Sequence, residues 1–187
     1  MLAKARHFLT DTKDLVSLYY TLFSSILTYG SQVWGLLSNS KMNKVETAQK
    51  AAIRIISFSD FHAHTSPIFK SLKILRLQEH IKLQHILLVY DIINKNLPSS
   101  FNDFFVGNDM NWVKTRAESE ASTNIVFSQK YNQIKYGRKS ITNTSVNIWN
   151  RFAKHIFPNT NMYTISRNKL KEIVTKHFLE SYKDIDD

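Results

Sequence analysis

The chain has 187 residues, of which 43% are hydrophobic, enough to bury a core and too many for wholesale disorder. It contains no cysteine, which excludes disulfide frameworks, thiol catalysis and cysteine-based zinc sites. A formal net charge of +10 favours a polyanionic partner, and the N-terminal stretch lacks the apolar core of a signal peptide.

Four glycines and three prolines leave few places for tight turns, so the fold class expected is mainly α. The first long element is predicted over residues 11–37, capped by Thr10 or Asp11. Leu15, Leu18, Tyr19, Leu22, Ile26, Tyr29 and Val33 recur there at helical spacing. Ser17, Thr21, Ser24, Thr28, Ser31 and Gln32 fall on the opposite face. The 23 residues from Leu15 to Leu37 carry no charge, a length that could span a bilayer. A lipid-facing helix has no reason to gather its polar residues into a stripe, so no membrane is expected. The helix should instead pack centrally in its own bundle or against a missing partner domain. Tyr29 and Trp34 read as packing residues, with Gly30 allowing a close helix crossing.

A second helix is predicted from Lys41 to Ile56, with Ser40 as its cap. Val45, Ala48, Ala52, Ile53 and Ile56 should face inward, and Lys44, Lys50 and Arg54 outward. After a polar loop, Pro67 suits the first turn of a short helix ending near Leu72. A third long helix is predicted over 78–95, apolar through Ile81, His85, Leu88 and Ile92 and stopped by Leu97-Pro98. Residues 106–137 are polar and read as an irregular hairpin or loop. Helices resume over 138–154, with Ile141, Val146, Ile148, Trp149 and Phe152 apolar, and over 162–182. The expected organisation is a helical bundle over 1–105, then a basic C-terminal region over 106–187, a loop or hairpin plus two helices. Residues 121–171 hold nine Lys/Arg and no acid.

No phosphate-cradling glycine string, nucleophile elbow or dinucleotide fingerprint is present. Asp186-Asp187 is the one Asp-Asp pair, and no strand flanks it to present two metal ions to a phosphate. Asp60, His62 and His64 alternate along one loop without a distant ligand set, and His80 and His85 share no helical face. No catalytic residue, metal or cofactor is expected. What remains is basic. Lys44, Lys50 and Arg54 track one side of a helix. Lys114 and Arg116 form a pair; Lys135, Arg138 and Lys139 form a cluster that Arg151 and Lys154 extend by a helical turn. Trp149, between Ile148 and Phe152, reads as core rather than as a base-stacking residue.

Several phrases recur in order: LYYTLFSSILTYGSQVWG at 18–35, VETAQKAAIRII at 45–56, HTSPIFKSLKILRL at 64–77, LPSSFNDFF at 97–105, KTR at 114–116, and RKSI with SVNIWN across 138–150. Together they resemble the region just after the catalytic palm in reverse transcriptases of non-long-terminal-repeat retrotransposons, particularly jockey-like elements. The resemblance runs from about Arg6 to about Tyr182 and implies a thumb followed by its tail. In such a thumb the second helix would lie against the minor groove of the template–primer duplex, reading shape and 2′-hydroxyls. The implied partners are RNA and an RNA–DNA or DNA duplex, together with a polymerase palm, in the nucleus or cytoplasm. Polymerisation, and often an endonuclease, belongs to the intact family product; the Asp pair of a palm is missing here. The family commonly has a His or Tyr shortly before Thr-Arg, where this chain reads Asp109 to Lys114. The alternative is a small helical protein-interaction module, its basic tail incidental and the uncharged face of 15–37 its interface.

Overall fold

A chain with four glycines must stop most of its helices on other residues, and this one does so by a repeated device. The computed structural model describes residues 2–99, 140–156 and 164–182, the side chains of 153–156 excepted. It is mainly α, with no strand among the described residues. The expected boundary near residue 105 and the loop or hairpin of 106–137 lie outside the described residues.

The helices are α1 (Leu2–Ala5), α2 (Thr12–Leu18), α3 (Ser25–Thr28), α4 (Ser31–Trp34), α5 (Asn39–Ile56), α6 (Thr65–Ser71), α7 (Leu77–Ile93), α8 (Ile141–Ile156) and α9 (Arg167–Glu180). Three of them end in Schellman closures around residues with φ near +55°: Phe58 after α5, Lys73 after α6 and Lys95 after α7. In each the next amide reaches back five residues, Ser59 to Arg54, Ile74 to Phe69 and Asn96 to Asp91. Thus α7 is closed at Lys95, before Leu97-Pro98 is reached. Glycine is the usual residue at such a position, and a side chain there costs about 1–2 kcal/mol.

The single helix expected over 11–37 is broken. Asp11 caps α2 through the Lys13 amide, 2.9 Å away. Between α2 and α3 the backbone widens into a π-helical segment, Tyr19–Ser24. Gly30, at φ +60°, then ends the run and starts α4. The close approach is made by Gly35 instead, where a Cβ would fall 2.8 Å from Cγ2 of Ile81. The wide turns keep residues four apart on the core side, so Leu15, Tyr19, Leu27 and Ser31 are buried and Phe23 half-buried. A straight α-helix would drift by about 40° at each such step. The consequence reverses part of the periodicity reading, because Leu22, Ile26, Tyr29 and Val33 face solvent; Ile26 is 73% exposed and Tyr29 87%. No helix among the described residues is long and apolar enough to cross a membrane.

The described residues divide into two compact units, one of 1–81 with 173–187 and one of 82–172. In the first, Leu15, Tyr19, Ala52, Ile53, Ile56, Ile68, Phe69, Ile74 and Tyr182 form one cluster. Leu27, Met42, Leu77 and Ile81 form another, and Phe23 packs against both. In the second unit, Leu83, Ile86, Val89, Tyr90 and Ile92 of α7 are buried, as are Val146, Trp149 and Phe152 of α8. Trp149 is therefore core. His85 and Ser145, both fully buried, share a 2.7 Å hydrogen bond. The Tyr90 hydroxyl donates to the Ile165 carbonyl at 2.6 Å, and Arg167 Nε reaches both Asp91 oxygens at 3.0 Å.

Candidate nucleic-acid interface

Helix α5 sets the geometry of the basic residues in the first unit. Its buried row is Met42, Gln49, Ala52, Ile53 and Ile56, whereas Ala48, expected inside, is exposed. The helix starts from Ser38, whose hydroxyl lies 3.3 Å from that of Ser40, so Ser40 is not the cap. With this phase Lys44 and Lys50 are exposed. Arg54 is half-buried and anchored: its Nε donates to the Ala63 carbonyl at 3.0 Å, and its guanidinium lies 6.0 Å from the centre of the Phe61 ring. The three cations share one broad side of α5, but Arg54 also ties down the loop that follows it.

Gln49 holds this helix in register. Its Nε2 donates to the Tyr19 hydroxyl and to the Leu75 carbonyl, each at 2.9 Å, and its Oε1 accepts from the Leu77 amide at 2.8 Å. Burial pushes the Tyr19 phenol up to about 12, against a smaller opposing effect from the Gln49 hydrogen bond. Sequence reasoning missed Gln49, because a glutamine between Ala48 and Lys50 carries no signal of burial.

Lys50 opens onto a cleft of about 220 Å³ together with Arg76, Glu46, Glu79 and Ser66. Arg76 is positioned twice over. Its amide donates to the Tyr182 hydroxyl at 2.9 Å, and its guanidinium sits 4.3 Å above the Tyr182 ring while bonding the Ser66 hydroxyl. Burial raises the Tyr182 phenol well above its ordinary range. Two carboxylates against two cations make this cleft a balanced polar site rather than an anion trap.

The loop after α5 places aromatic rings beside arginines. Arg6 lies 4.7 Å over the Phe58 ring, and the Phe61 ring meets the His62 ring edge-on at 5.3 Å. Sequence reasoning passed over both phenylalanines; a signal was available in their polar setting, Ser57 to His62. Asp60, His62 and His64 are exposed, and no group of three metal-ligating side chains occurs among the described residues.

In the second unit Arg151 is exposed on α8. Lys154 belongs to the same helix, its side chain outside the described residues. Lys114, Arg116, Lys135, Arg138, Lys139 and the Asp186-Asp187 pair also lie outside them.

Among curated proteins, the chain is similar to the RNA-directed DNA polymerase from mobile element jockey of Drosophila melanogaster, with 33% identity over 75 residues. The match takes in 40% of this chain and 8% of that polymerase. It supports a relation to a region of a non-long-terminal-repeat retrotransposon reverse transcriptase. No family model and no solved structure matches the chain.

Proposed function

We propose that this chain is the thumb and following region of such a reverse transcriptase, gripping a template–primer duplex without itself carrying the polymerase centre. The similarity to the jockey polymerase is the observation that carries the reading. The exposed Lys44 and Lys50 on α5, with Arg151 on α8, support it as phosphate contacts. Lys114, Arg116, Lys135, Arg138, Lys139 and Lys154 belong to the same proposal. Chain extension would reside in the palm of the intact polymerase.

The test is anisotropy titration of an RNA–DNA duplex over a range of salt. Each phosphate contact adds about 0.9 to the slope of log affinity against log salt on duplex DNA, so Lys44→Glu with Lys50→Glu should flatten it by roughly 2. Reversal at Lys135, Arg138 and Lys139 should weaken binding similarly. Unchanged affinity and slope in both variants would overturn the reading.

A second reading, a protein-interaction module, draws on the exposed row of Leu22, Ile26, Tyr29 and Val33. It predicts that Ile26→Lys abolishes association while the charge reversals do not.

A further inference from the structure

We infer that the loop after α5 is a stacking site for unpaired nucleobases, with Phe61 and Phe58 as its platforms. This deepens the nucleic-acid reading and rests on it. Phe61 is 74% exposed and Phe58 41%, although a core is available within the same unit. Neither ring is left loose. Phe58 occupies the left-handed position of the Schellman closure at φ +54°, a place where a bulky residue is disfavoured, and Arg6 covers one face of it. The Ser59 amide to the Arg54 carbonyl, at 3.1 Å, closes the turn, and the Ser57 and Ser59 hydroxyls pair at 2.7 Å. The Arg54 bond to Ala63 draws the far side of the loop in beside the Phe61 ring.

The chemistry selects the ligand. A guanidinium near an exposed aromatic ring supplies positive charge beside a flat apolar surface, which suits a base that stacks while its phosphate runs nearby. Phenylalanine has no hydrogen-bonding group, so such a platform would accept any base. Asp60, exposed and between the two phenylalanines in sequence, is the one carboxylate in the loop and would disfavour phosphate beside it. Bases would therefore lie on the rings with the backbone toward Arg6 and Arg54. In a duplex the base faces are already stacked on one another, so the site should prefer single strands.

The experiment uses the full chain with a fluorescein-labelled oligouridylate, and an RNA–DNA duplex as the comparison. Phe61→Ala should weaken the single strand about 5- to 100-fold, and Phe61→Trp should restore it, with quenching of that indole on binding. Duplex affinity should hold in both variants. Phe58→Gly, which relieves the left-handed strain and so spares the fold, should also lose single-strand affinity. Tyr29→Ala, which removes an exposed ring outside the loop, should change nothing. Duplex binding that persists while Phe61→Ala leaves single-strand affinity intact overturns the stacking site alone. Wild-type chain that binds neither ligand overturns the duplex-gripping reading as well.

Discussion

The amide of Gln49 donates to the hydroxyl of Tyr19, 30 residues earlier in the chain, and both groups are buried. The same amide satisfies two backbone groups on the segment leading into α7, Leu75 O and Leu77 N. One side chain thus ties the π-helical segment, α5 and the start of α7 together. It also presents α5 with Lys44 and Lys50 outward.

Removing that side chain strands buried polar groups, each at about 1–3 kcal/mol. Gln49→Leu fills the space but leaves the Tyr19 hydroxyl, the Leu75 carbonyl and the Leu77 amide unmatched. A loss of about 2–5 kcal/mol is expected, read from urea denaturation midpoints at constant slope. Gln49→Leu together with Tyr19→Phe should recover part of the loss. Additive losses in the double variant would contradict the coupling.

His85 makes stability depend on pH. Burial lowers its imidazole to about 4, so the ring is neutral in the folded chain. Its Nδ1 is engaged with Ser145, and its buried Nε2 has no partner among the described residues. The unfolded chain takes up this proton near pH 6.5, whereas the folded chain resists it until about 4. The contribution is therefore complete above pH 6.5 and lost progressively as pH falls toward 4, up to about 3 kcal/mol. Asparagine can replace Nδ1 without a titrating ring. Denaturation curves from pH 7 to pH 4 should accordingly be flatter for His85→Asn than for the parent.

Two backbone substitutions should act in opposite directions. At Gly30 a Cβ would have room, with Trp34 Cδ1 3.9 Å away, so the effect of Gly30→Ala is purely conformational. It should cost about 1 kcal/mol, because φ is +60° there. Lys73 is exposed with φ +54°, and Lys73→Gly should gain a few tenths to 1 kcal/mol. Thermal melts of the two variants shifting in the same direction would refute this account.

Helices α5 and α8 were legible in the sequence because long amphipathic patterns outlast small errors of phase, and α7 because a long apolar run without glycine or proline, buried on most sides, has few alternatives. Their ends were less so. Pro98 looked like the stop for α7, yet hydrogen bonding closes the helix at Lys95, a residue that announces nothing. The region 11–37 misled more, since a 3.6-residue period assumes uniform winding and the Tyr19–Ser24 segment departs from it. At the candidate interface, Lys44 and Lys50 are exposed as expected. The tethering of Arg54 and the rings beside Arg6 and Arg54 depend on loop geometry that spacing does not encode.

The π-helical segment also makes the chain's tolerance of length changes asymmetric. One residue removed between Tyr19 and Ser24 would let plain α winding run through and leave Ser25 to the Gly30 break in nearly the same phase, since seven α steps of about 100° fall only about 20° short of two turns. Leu27 would keep its place against Met42 and Leu77, on the side that it shares with Tyr19, whereas one residue inserted there would turn it away by about 100°. A single-codon insertion there acts like a slipped gear tooth, turning the uncharged ridge of Ile26 and Tyr29 away from whatever it meets.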